Sequence, residues 1–131
     1  MNTKYVYPAI FTKEECGYSV NFPDVENCFT SGATLVEAIE AAQDVLCLML
    51  YDMEERKEPA PNSTDISSVK CEKNEFCTLI DCDTMDYRKF YDKKAIKKTL
   101  TIPSWLNAMA EREEINFSAV LQKALRAELN I

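Results

Sequence analysis

The chain has 131 residues, 47% hydrophobic and 28% charged with a formal net charge of −7, which fits one globular domain or two small ones and opposes non-specific nucleic-acid binding. It holds no histidine, which excludes Ser-His-Asp triads, Cys-His nucleophiles and His-ligated zinc, and its two glycines, Gly17 and Gly32, cannot build a P-loop or a GxGxxG loop. The longest apolar run, Val45 to Tyr51, is far short of the ~20 residues of a membrane span, and no signal-peptide core opens the chain; a cytoplasmic protein without catalytic residues, metal or cofactor is expected.

Tyr5 to Thr12 is aromatic and β-branched, as strands are, and Pro8 favours an edge or end position for it. Lys13 to Gly17 supplies a polar turn, and Tyr18-Ser-Val-Asn-Phe22 alternates apolar and polar residues. Pro23-Asp24 stops this second strand, and Cys28-Phe-Thr30 suffices for a short third one. Thr34 then opens a helix, because Thr34 and Glu37 have capping-box spacing. Leu35, Ile39, Ala42, Leu46, Met49 and Met53 continue it as one apolar stripe to about Glu55. Pro59 and Pro61 forbid its extension, and Phe76 to Ile80 reads as a fourth strand. Residues 1–86 are therefore expected to form a β-β-β-α-β domain of the α+β class, one face of its sheet covered by a helix.

Asp81, Asp83 and Asp86 follow that strand. As an EF-hand loop the segment fails, since Asp86 and Asp92 stand where Gly and Glu are needed. A metal-dependent nuclease using these carboxylates is the weakest of three functional readings, because strand-end acids commonly just solvate a turn. The six cysteines, Cys16, Cys28, Cys47, Cys71, Cys77 and Cys82, make no CxxC pair. Reduced thiols are expected, and the spacing of Cys71, Cys77 and Cys82 matches no zinc signature.

Charge is unevenly distributed. Residues 1–66 carry four basic and twelve acidic side chains, whereas Arg88, Lys89, Lys93, Lys94, Lys97 and Lys98 fall together with only Asp92 opposing them. An acidic half suits a basic protein partner and a basic run suits phosphates. Residues 87–96 read as a basic linker. Beyond it, Lys97 to Pro103 reads as a strand with Leu100 and Ile102 on one face and Lys97, Thr99 and Thr101 on the other. Ser104 is placed to cap a short helix containing Trp105, Leu106 and Met109. Asn116 is placed to cap a second, with Phe117, Val120, Leu121, Ala124, Leu125 and Leu129 at helical spacing.

A β-α-α segment of this size is too small to bury a core alone, so residues 97–131 are expected to dimerise around Leu100, Ile102, Leu106, Val120, Leu121 and Leu125. Two paired strands make a ribbon that fits the major groove of B-DNA. The segment resembles the ribbon-helix-helix family of DNA-binding repressors through Lys97-Lys-Thr-Leu-Thr-Ile-Pro103, Trp105-Leu106 and Asn116-Phe-Ser-Ala-Val-Leu121. That resemblance implies Lys97, Thr99 and Thr101 as base contacts. Phosphate contacts would come from Lys94, Lys98 and the backbone amides near Asn116, Phe117 and Ser118. The family often has glycine before its second helix, where this chain has Ile115.

The first domain resembles the N-terminal domain of HicB-type antitoxins, whose run GYxVxFPDxxGCxTxGxTxxEA is matched by Gly17-Tyr-Ser-Val-Asn-Phe-Pro-Asp24, Cys28-Phe-Thr30 and Thr34-Leu-Val-Glu-Ala38. Asn27 stands at a glycine of that run, and Ala33 precedes Thr34. This implies a partial RNase H-like fold without a working nuclease site. It also implies a protein that binds and silences a small basic mRNA-cleaving toxin, HicA, and represses its own operon by binding operator DNA as a homodimer or tetramer. The alternative is a stand-alone ribbon-helix-helix regulator whose first domain senses a signal or oligomerises.

Overall fold

The computed structural model describes residues 2–131. They divide into two compact units, one ending at Lys94 and one running from Ala95 to Ile131. In the first, β1 (Lys4–Glu14), β2 (Gly17–Asn21), β3 (Phe29–Gly32) and β4 (Glu75–Asp83) form an antiparallel sheet in the order β3-β2-β1-β4. Alternation along β1 sends Tyr7, Ala9 and Phe11 to one face, where the register adds Val20, Ile80 and Cys82. Helix α1 (Leu35–Glu55) lays Ala38, Ala42, Leu46 and Leu50 on that face at four-residue spacing, and all four are buried. Each fully buried leucine of this kind contributes about 1.5–3 kcal/mol.

The two glycines meet at one junction. Gly17 has φ +141°, and a Cβ there would stand 2.3 Å from the carbonyl oxygen of Gly32. A Cβ on Gly32 would stand 2.4 Å from the backbone nitrogen of Ala38. The turn between β1 and β2, the end of β3 and the first turn of α1 can close together only because both side chains are missing.

Helix α1 begins at the expected cap: the Thr34 hydroxyl accepts from the Glu37 N–H at 3.2 Å. The Glu37 carboxylate reaches one residue further back than a capping box requires and accepts from the N–H of Ala33. At the other end Lys57 takes a left-handed φ of 56°, and the N–H groups of Lys57 and Glu58 donate to the carbonyls of Glu54 and Met53.

Several expectations change in position. β1 is a central strand, so Pro8 is not on an edge; but β2 pairs only with Ile10 to Glu14, and at Pro8 the strand has a neighbour on one side alone. The third strand starts at Phe29 and leaves Cys28 buried just before it. β4 continues past Ile80 because β1 is long enough to pair Tyr5 with Cys82 and Lys4 with Asp83. A helix then follows directly, α2 (Thr84–Tyr91), so residues 87–91 are helical where a linker was expected.

In the second unit, residues 97–103 form no strand. A strand is defined by its ladder, and among the described residues nothing pairs with this segment. Two helices follow, α3 (Ser104–Arg112) and α4 (Phe117–Leu129). Ser104 does not cap α3; it is the first helical residue, and Pro103 holds the cap position without a side-chain hydrogen bond. α3 closes through Glu114 at φ 54°, with Glu114 N–H donating to Glu111 and Ile115 N–H to Ala110, so a glutamate fills the place that favours glycine.

Candidate functional site

In the second unit no residue is buried. Leu100, Ile102, Leu106, Val120 and Leu125 are 42–56% exposed, and Leu121 is half-buried. The two helices nevertheless carry ordered apolar stripes, so these residues form an apolar surface rather than a core.

The start of α4 is a capped helix N-terminus. The Asn116 side chain accepts from the Ala119 N–H at 3.0 Å, which leaves the Phe117 and Ser118 amides among the first helical N–H groups, those with no intrahelical partner. Lys97, Lys98, Thr99 and Thr101 are exposed in the irregular stretch before α3, while Lys94 is exposed at the end of the first unit. Arg88, at the head of the basic run, is not part of this surface. Its guanidinium donates to Glu54 at 3.0 Å and to Glu55, and lies 4.6 Å from the centre of the Tyr51 ring.

Glu54 likewise leaves the exposed acidic surface that its neighbours Glu55 and Glu58 provide. Its side chain is 9% exposed and accepts from Tyr5 Oη at 2.9 Å, Thr84 Oγ1 at 2.7 Å and Arg88 Nη2 at 3.0 Å. This one carboxylate ties β1, α1 and α2 together. Burial, followed by the Glu54 contact, pushes the Tyr5 phenol up to about 12. Sequence spacing did not reveal this hub; the available signal was Asp83 ahead of Tyr87, Arg88 and Tyr91, a capping residue before a helical face. Tyr87 completes that face, its ring 5.1 Å from Tyr51 and 4.4 Å from Tyr91.

Asp81, Asp83 and Asp86 do not assemble as a metal site. Asp81 accepts from Gln43 at 3.4 Å and Asp83 caps α2 through the Met85 N–H at 2.9 Å. Among the described residues no group of three Cys, Asp or Glu side chains is arranged to hold a metal ion. The six cysteines are free, and the fold brings Cys47 of α1 and Cys82 of β4 to the lining of one cleft. The sheet face away from α1 presents Val6, Phe29 and Leu79 to solvent. Among the described residues no helix is long and apolar enough to cross a membrane.

A family model described as the HicB-like antitoxin of bacterial toxin-antitoxin systems matches residues 7–125, a span that enters both units. The chain belongs to the HicB-like antitoxin family. It is 32% identical over 104 residues to a 14.9 kDa protein from the rep-hol intergenic region of Haemophilus phage HP1 (strain HP1c1), covering 77% of this chain and 75% of the phage protein. It is 37% identical over 65 residues to antitoxin HicB 2 of Photorhabdus laumondii, covering 48% of this chain and 47% of that antitoxin. A chain of a toxin-antitoxin complex from Streptococcus pneumoniae superposes with a TM-score of 0.63 at 26% identity, covering 95% of this chain and 99% of that one. Asn27 has a φ of 57°, a left-handed conformation that favours glycine and that asparagine tolerates.

Proposed function

We propose that this HicB-like chain neutralises a HicA-like mRNA-cleaving toxin through its first unit and represses its own operon through residues 97–131. The observation that carries the reading is a family match spanning a unit with its own core and a unit that buries nothing. In the second unit, two copies pair residues 97–103 into a ribbon and cover Leu100, Ile102, Leu106, Val120, Leu121 and Leu125 between their helices. The outward Lys97, Thr99 and Thr101 then meet base edges. Lys94, Lys98 and the amides at Asn116, Phe117 and Ser118 hold phosphates. In the first unit, a partial RNase H-like domain, toxin silencing is steric: a covered catalytic surface requires no chemistry from this chain. The excess of acidic side chains over residues 1–66 steers a cationic partner and speeds encounter.

Two experiments with the full chain separate the two halves of the proposal. Gel retardation on the upstream promoter fragment is expected at low salt. Thr99→Ala or Thr101→Ala should relax sequence preference by about 1–3 kcal/mol at one base pair. Lys94→Ala should weaken all sequences alike and shallow the salt dependence. No retardation at low salt removes the repressor role. Co-expression with the product of the neighbouring reading frame should give a stable complex and protect mRNA; a folded chain that does neither removes the antitoxin role.

A further inference from the structure

Cys47 and Cys82 come from different elements, α1 and β4, and Cys47 packs against the core that contains Cys82. Both line one open cleft together with Gln43, Asp44, Asp83 and Tyr87, so a small reagent can reach them although Cys82 is only 7% exposed. We propose that Cys47 and Cys82 form an oxidisable dithiol site that closes to a disulfide by exchange with a small-molecule disulfide.

Their surroundings assign the two thiols different roles. The neighbouring Cys82 thiol draws Cys47 below the ordinary thiol range, and Cys47 together with burial pushes the Cys82 thiol up. Cys47 is thus the attacking sulfur. Its thiolate bonds to one sulfur of the small disulfide, that S–S bond breaks, and the departing thiolate takes up a proton. Cys82 then loses its proton, attacks the Cys47 sulfur and releases the second small thiol. Two protein thiols are oxidised and one disulfide is reduced to two thiols. Cys71 and Cys77 serve as an internal comparison, because burial holds the Cys77 thiol above its ordinary value.

The carboxylates of Asp44, Asp81 and Asp83 around the cleft predict which reagent works best. Cationic cystamine should close the bond faster than anionic oxidised glutathione at equal concentration, and added salt should narrow the difference. The test is to treat the reduced full chain with each reagent, block remaining thiols, digest without reduction and map linkages by mass spectrometry. A Cys47–Cys82 peptide pair should accumulate, with a rise in melting temperature that dithiothreitol reverses. In Cys82→Ser, Cys47 should stop at the mixed disulfide. The proposal is overturned if both thiols of the unsubstituted chain stay alkylatable while Cys71–Cys77 forms, a result that does not depend on any variant folding.

Discussion

Leu46 in α1 and Leu121 in α4 hold comparable places on the apolar stripes of their helices, yet Leu46 is fully buried and Leu121 is half-buried. The difference extends to the whole of each unit. The first encloses Phe11, Phe22, Val25 and four α1 residues within one chain, and a carboxylate hub fastens its last helix. The second has two helices with apolar stripes, a side-chain cap on α4 but none on α3, and no interior. Local signals therefore suffice to define a helix. An interior requires facing partners, and the second unit by itself encloses no residue; under the proposed function a second copy supplies them.

Substitutions can break or sharpen that contrast. The largest effect should come from Gly32→Ala, which sets a methyl group against the backbone of α1 where no side chain can swing aside. A loss of about 3 kcal/mol or more is expected, seen as a vanished cooperative melt of the first unit at any protein concentration. Leu46→Ala and Leu121→Ala should each cost about 2–5 kcal/mol, but with different concentration dependence. The Leu46→Ala melt should be independent of protein concentration, and the Leu121→Ala melt should shift with it. If both are independent, the second unit folds alone and the contrast fails.

A smaller effect tests the hub. A phenol raised from 10.0 to about 12 in the folded state stabilises the fold below pH 10, and that contribution is lost as pH rises through about 12. Tyr5→Phe should cost about 1 kcal/mol at neutral pH through the lost hydrogen bond to Glu54. Its melting temperature should also fall less steeply than that of the unsubstituted chain across this alkaline window. The smallest expected change is a gain: Glu114→Gly relieves a left-handed glutamate and should stabilise the second unit by about 1 kcal/mol, read from thermal melts at fixed concentration.

How far the sequence revealed the fold varies with the reach of each interaction. α1 and α4 were legible because their stripes are long and Thr34 and Asn116 accept from amides three residues ahead, as local chemistry dictates. The end of β4 was not, since Asp81-Cys-Asp83 looks like a turn unless one knows that β1 extends back to Lys4 and can pair with it. α2 was hidden for a similar reason: its inner face includes Arg88, whose partners Glu54 and Glu55 lie far away in sequence. The exposed threonines and lysines before α3 were readable as residue types. The ribbon proposed for them has no counterpart in one chain, where nothing among the described residues pairs with residues 97–103.

A tail with no interior of its own has a consequence for dosage. If its folded form exists only as a pair, the population of that form follows the square of the free chain concentration below the pairing constant. Halving the free chain would then remove about three-quarters of the pairs. The first unit, folded at any concentration, would lose only half of its copies. One polypeptide would thus report its own abundance on two scales, linear in one unit and quadratic in the other, and under the proposed function operator occupancy would fall before toxin capture does.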